Sequence, residues 1–263
     1  LSSRIVALSL LLLLLVQAAV FSVVRISIEQ SARGQVAQEL AVGERVWRRL
    51  LDQNAQKLAQ GAAVLAADFG FRAAVNSGDV DTIRSALENN GERIGATITA
   101  LFDTDLSLRA VGEGQDEATL APLLTQLVAP LTRQALGGQI ALVAGQPYQF
   151  VMVPMKAPLI VGWVLMGFPV SERLVADMRA LSDMHLALVV QPTGAPSRIA
   201  VATLTPDALQ ALQAITGDVT ELPMGDDRLI ARNVKLDTGM NGSVRTLLFR
   251  SLNEVVAPFR QAQ

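Results

Sequence analysis

The sequence predicts an α+β protein in which an apolar N-terminal segment and a long helix precede two antiparallel-sheet modules. Three observations predict this class. An uncharged stretch of membrane-spanning length lies near the start, apolar residues then recur every 11 positions, and the remainder alternates short strand patterns with capped helices. Because the connections between strands are short, we expect the strands to pair antiparallel, with helices on one face.

The composition excludes several classes of function. The chain of 263 residues has a net charge of −2 and no dense basic run, so we expect no nucleic-acid partner. The absence of cysteine removes disulfides, zinc–thiolate sites and thiol nucleophiles. The only histidine, His185, provides no nucleophile–base pair and is interpreted as structural. We therefore predict that this chain is not itself an enzyme and holds no cofactor or metal.

The segment from Ile5 to Val24 is predicted to be a transmembrane helix with boundaries near 4–25. Its 20 uncharged residues span about 30 Å as a helix, which matches the hydrocarbon core of a bilayer. A cleaved signal peptide or a buried core helix are the alternatives, but the apolar run is long and helical character continues past Arg25. Because the first methionine is Met152, we expect the sequence to begin inside a longer protein.

Residues 26–75 are predicted to form a stalk helix. Two apolar rows with an 11-residue period stay on one face of a nearly straight helix, because 11 residues make three turns. The alternative is two shorter helices broken near Gly43 or Gly61. A continuous rod would carry a displacement to the membrane, and we expect a homodimer to form through it. The rows are Val36, Trp47 and Leu58, and Leu40, Leu51 and Ala62.

Residues 76–170 are predicted to form the first sheet module, farther from the membrane. Its first helix begins at a cap formed by Asp79 or Asp81 and ends at Asn89-Asn90-Gly91. A strand with one buried face follows from Ile94 to Phe102, because apolar residues alternate there. The rest of the module is predicted as strands near 106–111, 139–144, 148–155 and 160–168, with helical turns around 120–131.

A connecting helix at 171–184, capped by Ser171, leads to a second module at 185–250, nearer the membrane. A helix opened by Thr205 and Pro206 lies between its strands. The repeated order of a strand followed by a serine-capped helix suggests two related modules. The strands are predicted at 186–191, 198–202, 228–236 and 244–250, and an exit helix at 251–263 leads towards a second transmembrane span.

Binding of a small molecule requires polar or aromatic groups that converge on an apolar pocket. The candidates on the larger sheet are Arg93, Tyr148, Lys156 and Trp163, because a cationic side chain can hold a carboxylate and an aromatic ring can cover an apolar face. Each has a structural alternative: Trp163 as core, Lys156 in a solvated turn, and Arg93 beside a strand. The turn at 112–115 lacks the third glycine of a nucleotide-binding loop and is interpreted as a plain loop.

The layout and two local segments resemble the double Cache family of PAS-like sensor domains, as found in membrane-bound cyclic-di-GMP enzymes and sensor kinases. The segments are Leu65-Ala66-Ala67-Asp68-Phe69-Gly70-Phe71-Arg72 and the pattern Gly78-Asp79, Thr82-Ile83, Ser85-Ala86-Leu87-Glu88-Asn89, Gly91 and Arg93-Ile94-Gly95-Ala96.

The resemblance implies a receptor in the bacterial inner membrane, with residues after about 25 in the periplasm, sensing an unknown small-molecule ligand. It further implies a following HAMP linker and GGDEF and EAL output domains that control cyclic-di-GMP. The output motifs do not occur within the 263 residues. A sensor of a histidine kinase or chemoreceptor, and a protein-interaction module without a small ligand, are the alternatives.

Overall fold

The computed structural model describes residues 2–133, 137–182, 184–203, 217–224, 227–237, 239 and 241–253. Its helices are α1 (Ser2–Ala66), α2 (Phe69–Ser77), α3 (Val80–Ile94), α4 (Glu117–Arg133) and α5 (Glu172–Ser182). The strands of the first sheet are β1 (Ile98–Phe102), β2 (Leu108–Val111), β3 (Gly138–Val143), β4 (Gln146–Lys156) and β5 (Ile160–Pro169). Those of the second are β6 (His185–Pro192), β7 (Arg198–Ala202), β8 (Val219–Met224), β9 (Asp227–Asp237) and β10 (Gly242–Ser251).

The two sheets have the same topology. The first has the order β2-β1-β5-β4-β3 and the second the order β7-β6-β10-β9-β8, with every pair antiparallel. In each, the first and last strands of the module are neighbours near the centre. The predicted α+β class with two related sheet modules is therefore confirmed.

Helix α1 is continuous, so the alternative of two helices broken near Gly43 or Gly61 is wrong. The predicted end of the stalk helix at residue 75 is also wrong. The helix stops at Ala66, and α2 follows at an angle of 66° to α1. The cause is Asp68, whose side chain accepts a 3.0 Å hydrogen bond from the Phe71 amide and so starts a new helix.

Helix α1 is the shared support of both modules rather than a free rod. Its section from Ala32 to Leu51 packs on the second sheet, and its section from Ala55 to Ala66 packs on the first. The order of the modules along α1 is thus the reverse of their order in the chain. Both predicted 11-residue rows lie on the packed face, and Val36 and Trp47 have no exposed surface.

Polar contacts fix α1 against the otherwise apolar face of the second sheet. From residue 39 to residue 47 the helix rises about 12 Å, and β10 covers a similar distance, about 14 Å, from residue 250 to residue 246. The contacts therefore follow one another in register along both elements. They are Glu39 to Arg250 (3.0 Å), Glu44 to Arg232 (2.7 Å), and Trp47 Nε1 donating to Thr246 Oγ1 (3.0 Å).

The first sheet is covered on both faces. Helices α1, α2 and α3 pack on one face, and α4 packs on the other with its leucine side chains. All five residues of β1 are buried, because both of its faces are covered. The helical turns predicted around 120–131 form a single helix, α4, which includes Pro122 and Pro130.

Two boundaries of the first module differ from the prediction. Helix α3 continues past Asn89-Asn90-Gly91 to Ile94, and Gly95, with φ of 79°, forms its C-cap. Gly91 is instead a close-packing residue, since a Cβ there would lie 2.5 Å from Cγ2 of Thr99. The strand predicted from Ile94 therefore begins at Ile98.

The second module contains β8, an edge strand that the sequence did not predict. Ser171 caps α5 as predicted, with its Oγ 3.4 Å from the Leu174 amide. The helix predicted at Thr205 and Pro206, and the exit helix beyond Asn253, lie outside the described residues.

Within the part of the chain whose side chains the structure describes, no single helix is both long and apolar enough to cross a membrane. The helical section Gln30–Ala66 and the helix Phe69–Ser77 are together long and apolar enough, but they are bent by 66° where they meet. Leu12–Val23 is a shorter apolar stretch.

Candidate ligand-binding site

The structure does not bring together the four residues that the sequence put forward. Arg93, near the end of α3, and Lys156, at the end of β4, are exposed. Tyr148 and Trp163 are half-buried on the face of the first sheet that α4 covers. Tyr148 pairs with Pro169, whereas Trp163 lies six residues earlier on the same strand, which separates the two rings by about 20 Å.

Both rings pack against the same core cluster. Its members Phe102, Phe150 and Leu124 have no exposed surface. The hydroxyl groups of Thr97 and Tyr148 are 3.3 Å apart, and the Tyr148 ring lies 6.0 Å from that of Phe150. These contacts give Tyr148 a structural role. Its role in ligand binding, like that of the other three, stays a prediction.

A polar cavity of about 340 Å³ lies elsewhere, between α3 and the turn that joins β2 to α4. We name it the α3 cavity. None of the four predicted residues lines it. Its lining residues are Asp81, Arg84, Ser85, Val111, Gly112, Glu113, Gly114, Gln115 and Glu117.

Short hydrogen bonds tie the two walls of the α3 cavity together. Arg84 on α3 donates to Glu117 on α4 at 2.7 Å, and the Ser85 hydroxyl donates to Glu113 at 2.6 Å. Both walls are therefore held in place by contacts across the cavity.

Gln115 anchors the turn beneath the cavity. Its Nε2 donates to Glu88 at 3.2 Å, and its Oε1 accepts a 3.3 Å hydrogen bond from the backbone amide of Thr99 on β1. The Gln115 and Thr99 side chains lie so close to the backbone at position 112 that only glycine fits there. A Cβ would lie 2.7 Å from Gln115 Nε2 and closer still to Thr99 Oγ1. Gly114, with φ of 77°, supplies the left-handed turn.

The α3 cavity is negative in character. Three carboxylates, from Asp81, Glu113 and Glu117, line it against a single guanidinium, from Arg84. Such a lining favours a ligand that carries a positive charge or several hydrogen-bond donors. No group of three or more histidine, aspartate or glutamate side chains is arranged to hold a metal ion in the described part of the chain.

Sequence reasoning set aside the residues of this cavity because the turn at 112–115 failed the test for a nucleotide loop. A different signal was present. Ser85 and Glu88 lie three residues apart on one face of an amphipathic helix, next to a turn rich in glycine and acidic or amide side chains. Their proximity depends on β2 pairing with β1 at the sheet edge, which the sequence does not specify.

A second, less polar cavity of about 250 Å³ lies where α1, the first sheet and α5 meet. We name it the junction cavity. The buried Gln149 side chain forms part of its wall and links the first sheet to α1. The other lining residues are Asn54, Leu58, Gly95, Phe168, Pro169, Val170, Ser171 and Leu174.

The comparison of sequences assigns this two-sheet fold to a family. Residues 33–223 match the family dCache_3, described as the double sensory domain of two-component sensor kinase. The match covers most of the chain, so this protein belongs to that double Cache family, and the predicted resemblance is confirmed. No curated protein matches the chain.

The matches among solved structures include domains of three proteins. The periplasmic domain of Vibrio cholerae LuxQ is 15% identical, covers 82% of this chain and 99% of its own, and has a TM-score of 0.49. The Campylobacter jejuni chemoreceptor Tlp3 domain with isoleucine bound is 12% identical, with coverages of 86% and 97% and a TM-score of 0.47. The Pseudomonas fluorescens chemoreceptor CtaA domain with L-isoleucine is 14% identical, with coverages of 90% of this chain and 97% of its own and a TM-score of 0.37.

Proposed function

We propose that this chain is the extracytoplasmic sensory domain of a bacterial transmembrane receptor and that it responds to a small molecule. The observation that carries the proposal is the course of α1. One continuous helix begins in an apolar segment and packs against both sheets of a domain from a sensory family. A change in either sheet therefore has a rigid element through which to act.

The N-terminal part of α1, Ile5–Val24, is proposed to lie in the inner membrane. Eight apolar side chains between Leu12 and Val23 are 54–66% exposed, and no described part of the chain covers them. Burial of such side chains in lipid is favourable by roughly 25 cal/mol per Å². The second module, which packs on the adjoining section of α1, would then be nearer the membrane, and the first module would lie deeper in the periplasm.

The topology is open to a direct test. Alkaline phosphatase, which is active only after export, is fused after Gln263. We expect high activity, and we expect low activity for a fusion at Arg4. Activity at neither position would contradict a periplasmic domain, and a chain recovered in soluble form, cleaved just after Val24, would contradict a retained anchor.

We propose that the ligand binds in the α3 cavity and is a small polar molecule with a positive charge or several donors. The support is the negative lining and the hydrogen bonds that join α3 to α4 and to the β2–α4 turn across the cavity. Ligand binding can shift α1 only if the ligand binds one arrangement better than the other. The output is proposed to be control of cyclic-di-GMP, with a histidine kinase or chemoreceptor as alternative, and the receptor is proposed to act as a homodimer through α1.

A thermal-shift screen of the chain in mild detergent, with amines, amino acids and polyamines, tests this site. A ligand present at 100 times its Kd stabilises by about 2.7 kcal/mol, which raises Tm by about 5–10 °C for a domain of this size. We expect the shift to disappear in the double variant Glu113→Gln/Glu117→Gln. The matched control is Glu92→Gln, an exposed carboxylate of α3 outside the cavity. Equal shifts in both variants would place the ligand elsewhere.

One observation favours a partner protein instead. Val64, Phe69 and Leu159 are 72–81% exposed. The α1–α2 corner and the β4–β5 turn are joined by Arg72, which donates to the Lys156 carbonyl at 3.5 Å. If a partner protein is the signal, Phe69→Ser/Leu159→Ser should abolish the cellular response, whereas a metabolite receptor should retain it.

A further inference from the structure

We infer that the junction cavity is a second binding site, for a small neutral molecule with both a hydrogen-bond donor and an acceptor. The cavity is separate from the α3 cavity, with which it shares no lining residue. It adjoins α1 directly through Asn54 and Leu58, and it adjoins the start of α5 through Ser171 and Leu174. A molecule bound here would contact the shared helix α1, the first module and the connecting helix α5 at once.

The polar group of this site is the Gln149 carboxamide, which is only 3% exposed. Its Oε1 accepts a 2.6 Å hydrogen bond from Asn54 Nδ2, and its Nε2 donates to the Leu51 carbonyl at 2.8 Å. A carboxamide offers two N–H donors and two acceptor lone pairs. Within the described part of the chain, one donor and one acceptor position of Gln149 are therefore left for a bound molecule.

The lining determines the charge of the molecule. No ionised side chain contributes to this wall, which combines two carboxamides and a hydroxyl with apolar side chains. A charged ligand would lose its hydration without gaining a counter-charge, which is strongly unfavourable. A neutral amide, in contrast, pairs its donor and acceptor with complementary groups.

The volume of the junction cavity limits the size of the molecule that it can bind. The cavity of about 250 Å³ has room for roughly eight water molecules at about 30 Å³ each. A compact organic molecule of about six to eight heavy atoms fits this space. The site therefore suits a lactam or a short amide and is too small for a nucleotide or a peptide.

Three five-membered rings of equal size serve as probes: 2-pyrrolidinone, which is neutral with a donor and an acceptor; cyclopentanone, which lacks the donor; and pyrrolidine, which is cationic. Binding is followed by amide NMR shifts of the whole chain in micelles. We expect the lactam to shift the signals of Asn54 and Leu58 with a Kd in the millimolar range, and the other two rings to bind at least tenfold more weakly. Equal binding of all three would overturn the proposal.

Two variants test the wall. Gln149→Met removes the carboxamide at similar volume and should weaken lactam binding at least tenfold, whereas Gln56→Met, an exposed carboxamide of α1, should leave it unchanged. If Gln149→Met unfolds, Leu174→Phe, which fills the cavity from α5, should abolish binding by itself. Lactam binding that persists in the filled variant, or no lactam binding to the unaltered chain, would refute the site.

The α3 double variant Glu113→Gln/Glu117→Gln separates this inference from the proposed function. We expect it to retain lactam binding, because its substitutions lie outside the junction cavity. Loss of the metabolite shift with retained lactam binding would support both sites. A thermal shift caused by a metabolite, without lactam binding, would support the α3 site and reject the junction site.

Discussion

The contact between α1 and the second module can be tested at one glycine. Gly43 lies in the interior of α1 and faces Met184, just before β6. A Cβ at Gly43 would lie 3.0 Å from Cε of Met184 and closer still to its Sδ. Met184 is 4% exposed, so its side chain has no path into solvent. Gly43→Ala should therefore strain the packing that joins the helix to the sheet.

The change in unfolding free energy caused by Gly43→Ala is the sum of two opposing contributions. Alanine is favoured over glycine in a helix interior by about 1 kcal/mol, whereas overpacking a buried site costs about 1–3 kcal/mol. The net effect of Gly43→Ala is therefore a loss of up to about 2 kcal/mol. Gly61→Ala is the matched control on the same helix, because a Cβ there would meet nothing within 4 Å. It should stabilise the protein by about 1 kcal/mol.

Urea unfolding of the chain in mild detergent, followed by tryptophan fluorescence, measures the difference. We expect Gly61→Ala to exceed Gly43→Ala in stability by about 1–3 kcal/mol. We also expect Met184→Ala to remove most of that difference when combined with Gly43→Ala, because the obstructing atoms are gone. If the two alanine variants are equally stable, the close packing of α1 on the second module is refuted.

Three further predictions concern the cores. Partial burial raises the pKa of Glu44, but hydrogen bonds from Arg232 and Arg48 outweigh this, so the pKa lies below the ordinary 4.5. The stabilisation is then present above pH 4.5 and lost as pH falls through the folded pKa, so Glu44→Gln should lower Tm at pH 6, and this effect should shrink as the pH is lowered below 4.5. Trp47→Phe should cost about 1–3 kcal/mol in unfolding free energy, and much less once Thr246→Val has removed the acceptor. Leu124→Ala should cost about 2–5 kcal/mol in urea unfolding, because α4 then leaves a cavity over the first sheet.

Sequence patterns located several elements at or near their observed bounds. The predicted strand Arg198–Ala202 matches β7, and the Ser171 cap starts α5 as expected. The failure at Gly91 has a physical cause, because glycine serves either to end a helix or to admit a close neighbour, and the sequence alone does not distinguish the two. Strand β8 was missed because it lies at a sheet edge and contains Pro223, which lowers its strand signal.

The candidate site was harder to predict than the fold. Tyr148 and Trp163 lie on the first sheet as expected, but that sheet is not the larger one, because both sheets have five strands. The separation of the two residues depends on strand register, which pairs Trp163 with Pro154. The α3 cavity depends on contacts between Gln115 and Thr99, which are 16 positions apart and meet only because β2 is next to β1. Such neighbours are set by topology, and a single sequence contains no signal for them.

The sharing of α1 between modules affects how the chain acquires its structure. The Trp47–Thr246 bond joins residues 199 positions apart, so α1, which leaves the ribosome before either sheet, completes its packing only when β10 has been made. Contacts of this range slow folding and leave the apolar face of the helix open during synthesis. It also follows that the second module cannot be excised as an autonomous unit: a fragment beginning at residue 171 would lack the helix that covers its sheet.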